Sequence, residues 1–285
     1  VPALTEHRLR LGGRDVTLIE GPAGWGECSV LAGYPCDPAS ARRAAVEAAV
    51  DGFPPTHRGD VAVNALVADT NFDPGALAGF GAVKVKMRVP SDVELVARVR
   101  DAVGPRVTLR VDANGAWDVG TAVAVADRLA RLGVELLEQP VASLEELAEV
   151  RRRCSVPIAA DESVRTIDDA RRLDRLGAAD VVVLKVQPLG GVRSALAIAD
   201  AAGVPAIPTS MMETSVGLAA GLALACALPE VPFACGLATA PLLSADVTLD
   251  PLVPREGRLA ARVVVPDPEL LARYSVAPSS QVVSS

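Results

Sequence analysis

The segments AVKVKM (82–87), VTLRVD (107–112), VELLE (134–138), PIAAD (157–161), VVVLK (181–185) and AIPTS (206–210) share one plan. Each is a short apolar run whose last polar residue stands at or next to its end. Those residues are Lys86, Asp112, Glu138, Asp161, Lys185 and Ser210, spaced by 26, 26, 23, 24 and 25 positions. Between the runs lie stretches of helical periodicity, among them Asp92–Val103, Val119–Leu132, Leu144–Arg153 and Ile167–Leu176, with Ser143 and Thr166 placed as N-caps. This spacing is the period of a strand–helix unit. Crossovers return the chain to the same end before each new parallel strand, so the six polar groups converge on one face. In a closed barrel that is the C-terminal face, where the active sites of this architecture lie.

Around this block the chain changes character. Residues 1–80 predict a small α+β domain, with Arg8–Arg14 and Val16–Glu20 as a hairpin and Ser40–Val50 as an Ala-rich helix. Residues 81–250 predict the barrel, with a weaker last strand at Phe233–Gly236. From about Pro251 short irregular segments rejoin the first domain, and Ser279–Ser285 reads as a loose tail.

Half of the 285 residues are hydrophobic but only 3% are aromatic, which suits buried parallel strands under Ala-rich helices. A net charge of −7 without basic runs argues against nucleic acid or an acidic membrane surface and for a small-molecule partner. The most apolar stretch, Val216–Leu228, is too short to span a bilayer, and the Val-Pro opening shows no signal peptide. Five cysteines without a CxxC pair predict reduced thiols and a cytoplasmic location. Oligomeric state is left open.

Asp112, Glu138 and Asp161 are hard oxygen donors on three successive strand ends, a set that suits Mg²⁺, with Mn²⁺ as a substitute. Taken singly, each carboxylate has the alternative of capping a helix or pairing with an arginine. Lys84 and Lys86 leave the same face of their strand while Val83, Val85 and Met87 leave the other, so the lysines point into the barrel or, alternatively, along a solvated edge. Lys185 ends the fifth of these strands and faces Lys86 across the mouth. A lysine that is desolvated or crowded by cations loses its proton more readily and can then take one from carbon. A metal bound to a substrate carboxylate stabilises the resulting enediolate. These are the parts for proton abstraction next to a carboxylate. His7 and His57 precede the barrel and are expected to be structural or exposed.

At GPAGWGE (21–27), VKVKM (83–87), LRVDANGAWD (109–118), LLEQP (136–140), AADES (159–163), VVVLKVQPLGG (181–191) and ETSVGLAAGLALA (213–225) the chain resembles the enolase superfamily, in its muconate-lactonising-like branch. Within that branch DANGAW, KVQPLGG, SVGLAAGLALA and ACGLAT (234–239) are similar to the o-succinylbenzoate synthase family. The resemblance implies a (β/α)7β modified TIM barrel with a small α+β capping domain. It further implies a Mg²⁺-dependent dehydratase of menaquinone biosynthesis acting on a small carboxylate. By the same resemblance Asp112, Glu138 and Asp161 hold the metal. Lys86 abstracts the proton and then protonates the departing hydroxyl, while Lys84 tunes it. Lys185 faces the enediolate as an electrostatic or cation–π partner. Asn114 and Glu162 support the site from behind. Arg110 is placed in the pocket as a carboxylate partner, with a core ion pair as its rival role. Ser210, the backbone at Met211, and Gly236 are placed against the substrate. PTSMMETS (208–215) departs from the SSALETS pattern, so Met211 or Met212 reshapes the pocket or simply packs in the core. Trp25 and Glu27 belong to a capping loop over the substrate, or else Trp25 anchors the small domain on the barrel.

Three rivals remain open: an N-acylamino acid or dipeptide racemase or epimerase using Lys86 and Lys185 on opposite faces, a metal-free Schiff-base aldolase, and a non-catalytic scaffold. TSMMETS lacks the DxD pair that dipeptide epimerases share, and three acids beside three lysines speak against the scaffold.

Overall fold

A computed structural model describes residues 3–276, so the tail expected over Ser279–Ser285 lies outside the described residues. Strands β1 (Thr5–Leu11), β2 (Arg14–Gly21) and β3 (Gly24–Cys28) form an antiparallel sheet. Gly12 and Gly13, with φ of 55° and 83°, make the two-residue turn after β1. That turn matches the strand twist, and it ends the first arm at Leu11 rather than at Arg14. Helix α1 (Pro38–Val50) begins where the Asp37 carboxylate accepts the Ala39 N–H, and it lays Ala41, Ala45 and Ala49 on the sheet. The approach is close: a Cβ at Gly26 of β3 would stand 1.9 Å from the Ala45 carbonyl oxygen.

The chain then passes through β4 (Asp60–Ala62) into a seven-stranded sheet whose every pairing is parallel. Its members follow in chain order: β5 (Ala65–Val67), β6 (Ala82–Lys86), β7 (Thr108–Asp112), β8 (Val134–Glu138), β9 (Ile158–Ala160), β10 (Val181–Leu184) and β11 (Ala206–Pro208). The stretch expected as a weak last strand at Phe233–Gly236 closes the ring by two parallel bridges, Thr209 to Gly236 and Val63 to Cys235. The architecture is the expected α/β barrel. One strand precedes the first repeat seen in the sequence, because β5 has only three residues and is followed by only a four-residue 3-10 turn, Pro74–Leu77.

Helices α2 (Val93–Val103), α3 (Val119–Arg131), α4 (Leu144–Arg153), α5 (Ile167–Leu176), α6 (Val186–Leu189), α7 (Val192–Ala202) and α8 (Ser215–Ala227) fill the crossovers. Ser143 and Glu146 form a reciprocal capping box on α4, whose first turn carries Glu145 and Glu146 and whose last carries Arg151, Arg152 and Arg153. Both charge sets complement the helix dipole. Every residue of α8 is buried, as its unbroken apolar sequence requires. It packs between β3 of the first sheet and β11 of the barrel. Helix α9 (Pro268–Tyr274) sits against β1 after β12 (Arg258–Ala260), which pairs with β4.

Strand alternation sorts the barrel residues by face. Val83, Val85, Leu109, Val111, Leu137, Ile158, Ala160, Val182 and Leu184 turn outward into the shared core with the helices. Leu136, Ala159, Val181, Val183 and Ile207 turn inward and meet as a separate apolar plug with Phe233. The inward set therefore continues upward through Lys84, Lys86, Asp112, Glu138, Asp161 and Lys185. Among the described residues no helix is long and apolar enough to cross a membrane. All five cysteines are free thiols, Cys226 and Cys235 buried and Cys28, Cys36 and Cys154 half-buried.

Replacing Gly26 by Ala forces α1 off the first sheet. Urea unfolding of Gly26→Ala is expected to show a loss of about 2 kcal/mol or more, the scale of overpacking in a close-packed core.

Candidate active site

Register across three strands assembles the site. Lys86 pairs with Asp112, and Asp112 with Glu138, so the three stand in one row at the barrel mouth. Lys84 lies one rung below. Its Nζ donates to Glu138 Oε1 and Oε2 at 2.8 and 2.9 Å and reaches Asp112 Oδ2 at 2.8 Å. Lys86 Nζ donates to Asp112 Oδ2 at 2.6 Å and to Asn114 Oδ1 at 2.8 Å. On the far wall Lys185 donates to Asp161 Oδ2. Both predicted supports are in contact with this cluster, since Asn114 Nδ2 donates to Glu162 Oε1 at 2.9 Å.

The three acids are almost wholly buried and therefore need positive charge. Burial works against the Asp112 carboxylate, yet the Lys84 and Lys86 ammoniums hold it well below its ordinary range. Burial and then the charge of Asp112 push Glu138 up. Burial disfavours the ammoniums of Lys84 and Lys185, but Asp112 and Glu138 in one case, Asp161 and Glu138 in the other, raise both. This is opposite to the lowering expected for lysines in such a site, because each ammonium is held by a carboxylate. As they stand, no three His, Cys, Asp or Glu side chains among the described residues converge closely enough to hold an ion. The donor chemistry nonetheless fits a hard dication: Asp112, Glu138 and Asp161 are oxygen donors on successive strand ends, and Asp112 and Glu138 share the one Lys84 ammonium.

A cavity of about 660 Å³ opens above the cluster, and Lys84, Lys86, Lys185, Ser210, Met211 and Gly236 all border it. Asp112, Glu138 and Asp161 lie beneath its floor. Arg110 does not border the cavity. It shares a rung with Lys84, and the two cations reach opposite ways. Arg110 Nε donates to Glu135 Oε2 at 2.7 Å, Nη1 donates to the Ala234 carbonyl at 2.6 Å, and the guanidinium stacks 5.4 Å from the Phe233 ring. This is the ion pair that was its rival role: Lys84 on the same rung borders the cavity, but the Arg110 guanidinium is taken by Glu135, the Ala234 carbonyl and the Phe233 ring. Strand β11 ends at Pro208, so its inward polar residue is Thr209, with Ser210 just beyond; both border the cavity.

The scan of the chain against family models matches the family described as Enolase C-terminal domain-like over residues 74–267. The chain is 50% identical over 277 residues to o-succinylbenzoate synthase of Thermobifida fusca, covering 94% of this chain and 87% of that protein. It is 46% identical over 286 residues to the o-succinylbenzoate synthase of Mycobacterium marinum, covering 95% and 86%. The chain belongs to the o-succinylbenzoate synthase family of the enolase superfamily. Membership makes it an enzyme, a lyase. In fold it is similar to muconate cycloisomerase of Pseudomonas fluorescens, with a TM-score of 0.84 at 22% identity over 96% of this chain and 98% of that one. It is likewise similar to the muconate lactonizing enzyme of Pseudomonas putida, with a TM-score of 0.85 at 21% identity over 96% and 99%.

Three residues that were given no role from the sequence shape the site. Tyr34, on the loop between β3 and α1, donates to Asp161 Oδ1 at 2.9 Å and places its ring 4.5 Å from Lys185 Nζ. Burial, then Asp161 and Glu162, push its hydroxyl up, so it stays a donor. Gln139, at a left-handed φ of 39°, accepts the Asp161 N–H at 2.7 Å and the Ser163 hydroxyl at 3.0 Å, which fixes the loop carrying a carboxylate. Glu213 follows Met212 at the head of α8 and accepts the Met211 N–H at 2.6 Å. Trp25 stays outside the cavity and stacks on His7 at 5.1 Å between centroids, an anchor of the first sheet.

Burial and then Glu27 push the Glu213 carboxyl up to about 7. Its folded pKa thus exceeds the unfolded one, and the folded state binds the extra proton. The stability this gives is complete below the ordinary carboxylate range and is lost as pH rises through about 7. In thermal unfolding from pH 4.5 to 8, Glu213→Gln is expected to gain on the parent as pH rises; an unchanged difference contradicts the assignment.

Proposed function

We propose that this chain is a Mg²⁺-dependent dehydratase of menaquinone biosynthesis that removes water from 2-succinyl-6-hydroxy-2,4-cyclohexadiene-1-carboxylate to give o-succinylbenzoate. One observation carries the reading: β6–β7–β8 register sets Lys86 beside Asp112 and Glu138 at the edge of the cavity, in a chain half identical to a named o-succinylbenzoate synthase. Asp112, Glu138 and Asp161 are the residues to hold the metal. Magnesium bound there, or manganese in its place, supplies the positive charge that stabilises the enediolate of the substrate carboxylate.

Lys86 is the most exposed of the three lysines, with 28% of its side chain open towards the cavity. In its unprotonated form it removes the hydrogen α to the carboxylate. The electrons of that C–H bond enter the carboxylate as an enediolate. Lys86, now an ammonium, then gives the same proton to the departing hydroxyl, and water leaves as the ring becomes aromatic. One lysine acting twice requires both events on one face, a syn elimination. Asn114 holds Lys86 at 2.8 Å and keeps its nitrogen at the cavity edge. Lys84, buried below, places a fixed positive charge beneath Lys86. Lys185 faces the substrate from the opposite wall. Ser210 and Gly236, bordering the cavity away from the lysine pair, receive the succinyl arm.

The opposed lysines are also what an N-acylamino acid racemase needs, so the assay includes a panel of N-acylamino acids and dipeptides. Purified enzyme is expected to dehydrate the cyclohexadiene carboxylate, to stop in EDTA and to recover with Mg²⁺. Lys86→Ala is expected to lower kcat by about 10³-fold or more with an unchanged circular dichroism spectrum. Turnover that survives either treatment, or that favours the panel, contradicts the proposal.

A further inference from the structure

Two buried carboxyl groups that the elimination does not use meet at the head of α8. Glu27 comes from β3, on the first sheet. Its Oε2 accepts the Gly217 N–H at 2.9 Å and the Thr214 hydroxyl, and its Oε1 accepts the Thr214 N–H at 3.2 Å and the Ser29 hydroxyl. A side chain nearly 190 residues away in sequence thus satisfies the free amides of the first turn of α8. Glu213 comes from the barrel itself and accepts the Met211 N–H. There is no room to replace this arrangement: a Cβ at Gly217 would stand 2.6 Å from Glu213 Cβ and 2.9 Å from Glu27 Oε2.

What these carboxyls hold is the cavity wall. Residues 209–212 run from the end of β11 past the cavity, where Thr209, Ser210, Met211 and Met212 all border it. Met212 has a left-handed φ of 63°, a conformation that a side-chain-bearing residue keeps only when its surroundings enforce it. Two contacts enforce it. Glu213 draws in the Met211 amide on one side, and Arg14, from the turn of the first hairpin, donates to the Met212 carbonyl on the other. Arg14 also donates to the Ser29 carbonyl, and Ser29 donates to Glu27, so the contacts form one closed chain from first sheet to barrel. Asp246 takes the remaining amide and hydroxyl of Ser215.

We propose that Glu27 and Glu213 are positioning residues that lock the 209–214 wall to the first sheet and so set how the substrate's remote arm is held. This rests on the reading that the substrate binds in the cavity above Lys86. Neither group touches the reacting atoms; both act through the backbone of Met211, Met212 and Thr214.

Glu27→Ala, Glu27→Gln, Glu213→Ala and Glu213→Gln are compared with the parent in two measurements on the full-length enzyme. The first is amide deuterium exchange of the 209–217 segment, which needs no substrate. Glu27→Ala and Glu213→Ala are expected to speed that exchange by about tenfold or more, the loss of one buried hydrogen bond. The Gln variants keep an acceptor oxygen and are expected to recover most of the protection. The second is steady-state turnover, where the Ala variants raise KM by about tenfold and change kcat by less than about threefold. Unchanged exchange, or loss of kcat at constant KM, overturns the proposal. A parent enzyme inactive on the cyclohexadiene carboxylate overturns the substrate assignment instead, and the exchange data still decide the positioning role.

Discussion

Charge neutralisation inside a closed ring of strands is the constraint on which the rest of this structure depends. Three carboxylates and three ammoniums point inward near the barrel mouth, almost all of them buried. Buried ions survive only when paired and hydrogen-bonded. The pairing is obtained by register alone, since parallel neighbours place Lys86, Asp112 and Glu138 side by side. A slip of one residue in β7 would turn Asp112 into the helix layer and Val111 into the mouth.

The barrel interior has two zones with different chemistry. At the bottom, apolar side chains fill the space, and Arg110, on the rung of Leu136, directs its guanidinium there to Glu135 and the Phe233 ring. The top zone carries the candidate site. The loop after β3 completes it from outside the barrel, through Tyr34 on Asp161 and through the Ser29 N–H, which donates to Gln187 Oε1 of α6 at 2.8 Å. The cavity is therefore shared property of sheet and barrel, and residues far apart in sequence decide its shape.

Periodicity in the chain made the central features legible. The alternation of VKVKM assigns both lysines to one face, and the polar strand ends fall within three residues of a common spacing. Strands too short to show a period were not legible. β5 has three residues, and the closing stave consists of two bridges. The reach of the Arg110 side chain was not legible, because alternation gives the face but not the direction a long side chain takes from it. The partners of Tyr34, Gln139 and Glu27 were out of reach for another reason. Tyr34 and Glu27 act across 127 and more positions, and Gln139 acts from a left-handed turn that no local pattern announces.

The central claim is that Asp112, Glu138 and Asp161 act together as one dication site. Titration with Mn²⁺, followed by the loss of its free-ion electron paramagnetic resonance signal, tests this without any substrate. One Mn²⁺ per chain is expected for the parent, with affinity falling by an order of magnitude or more, about 10-fold, in Asp161→Asn. Equal binding by parent and variant, or no binding at millimolar Mn²⁺, would contradict the account.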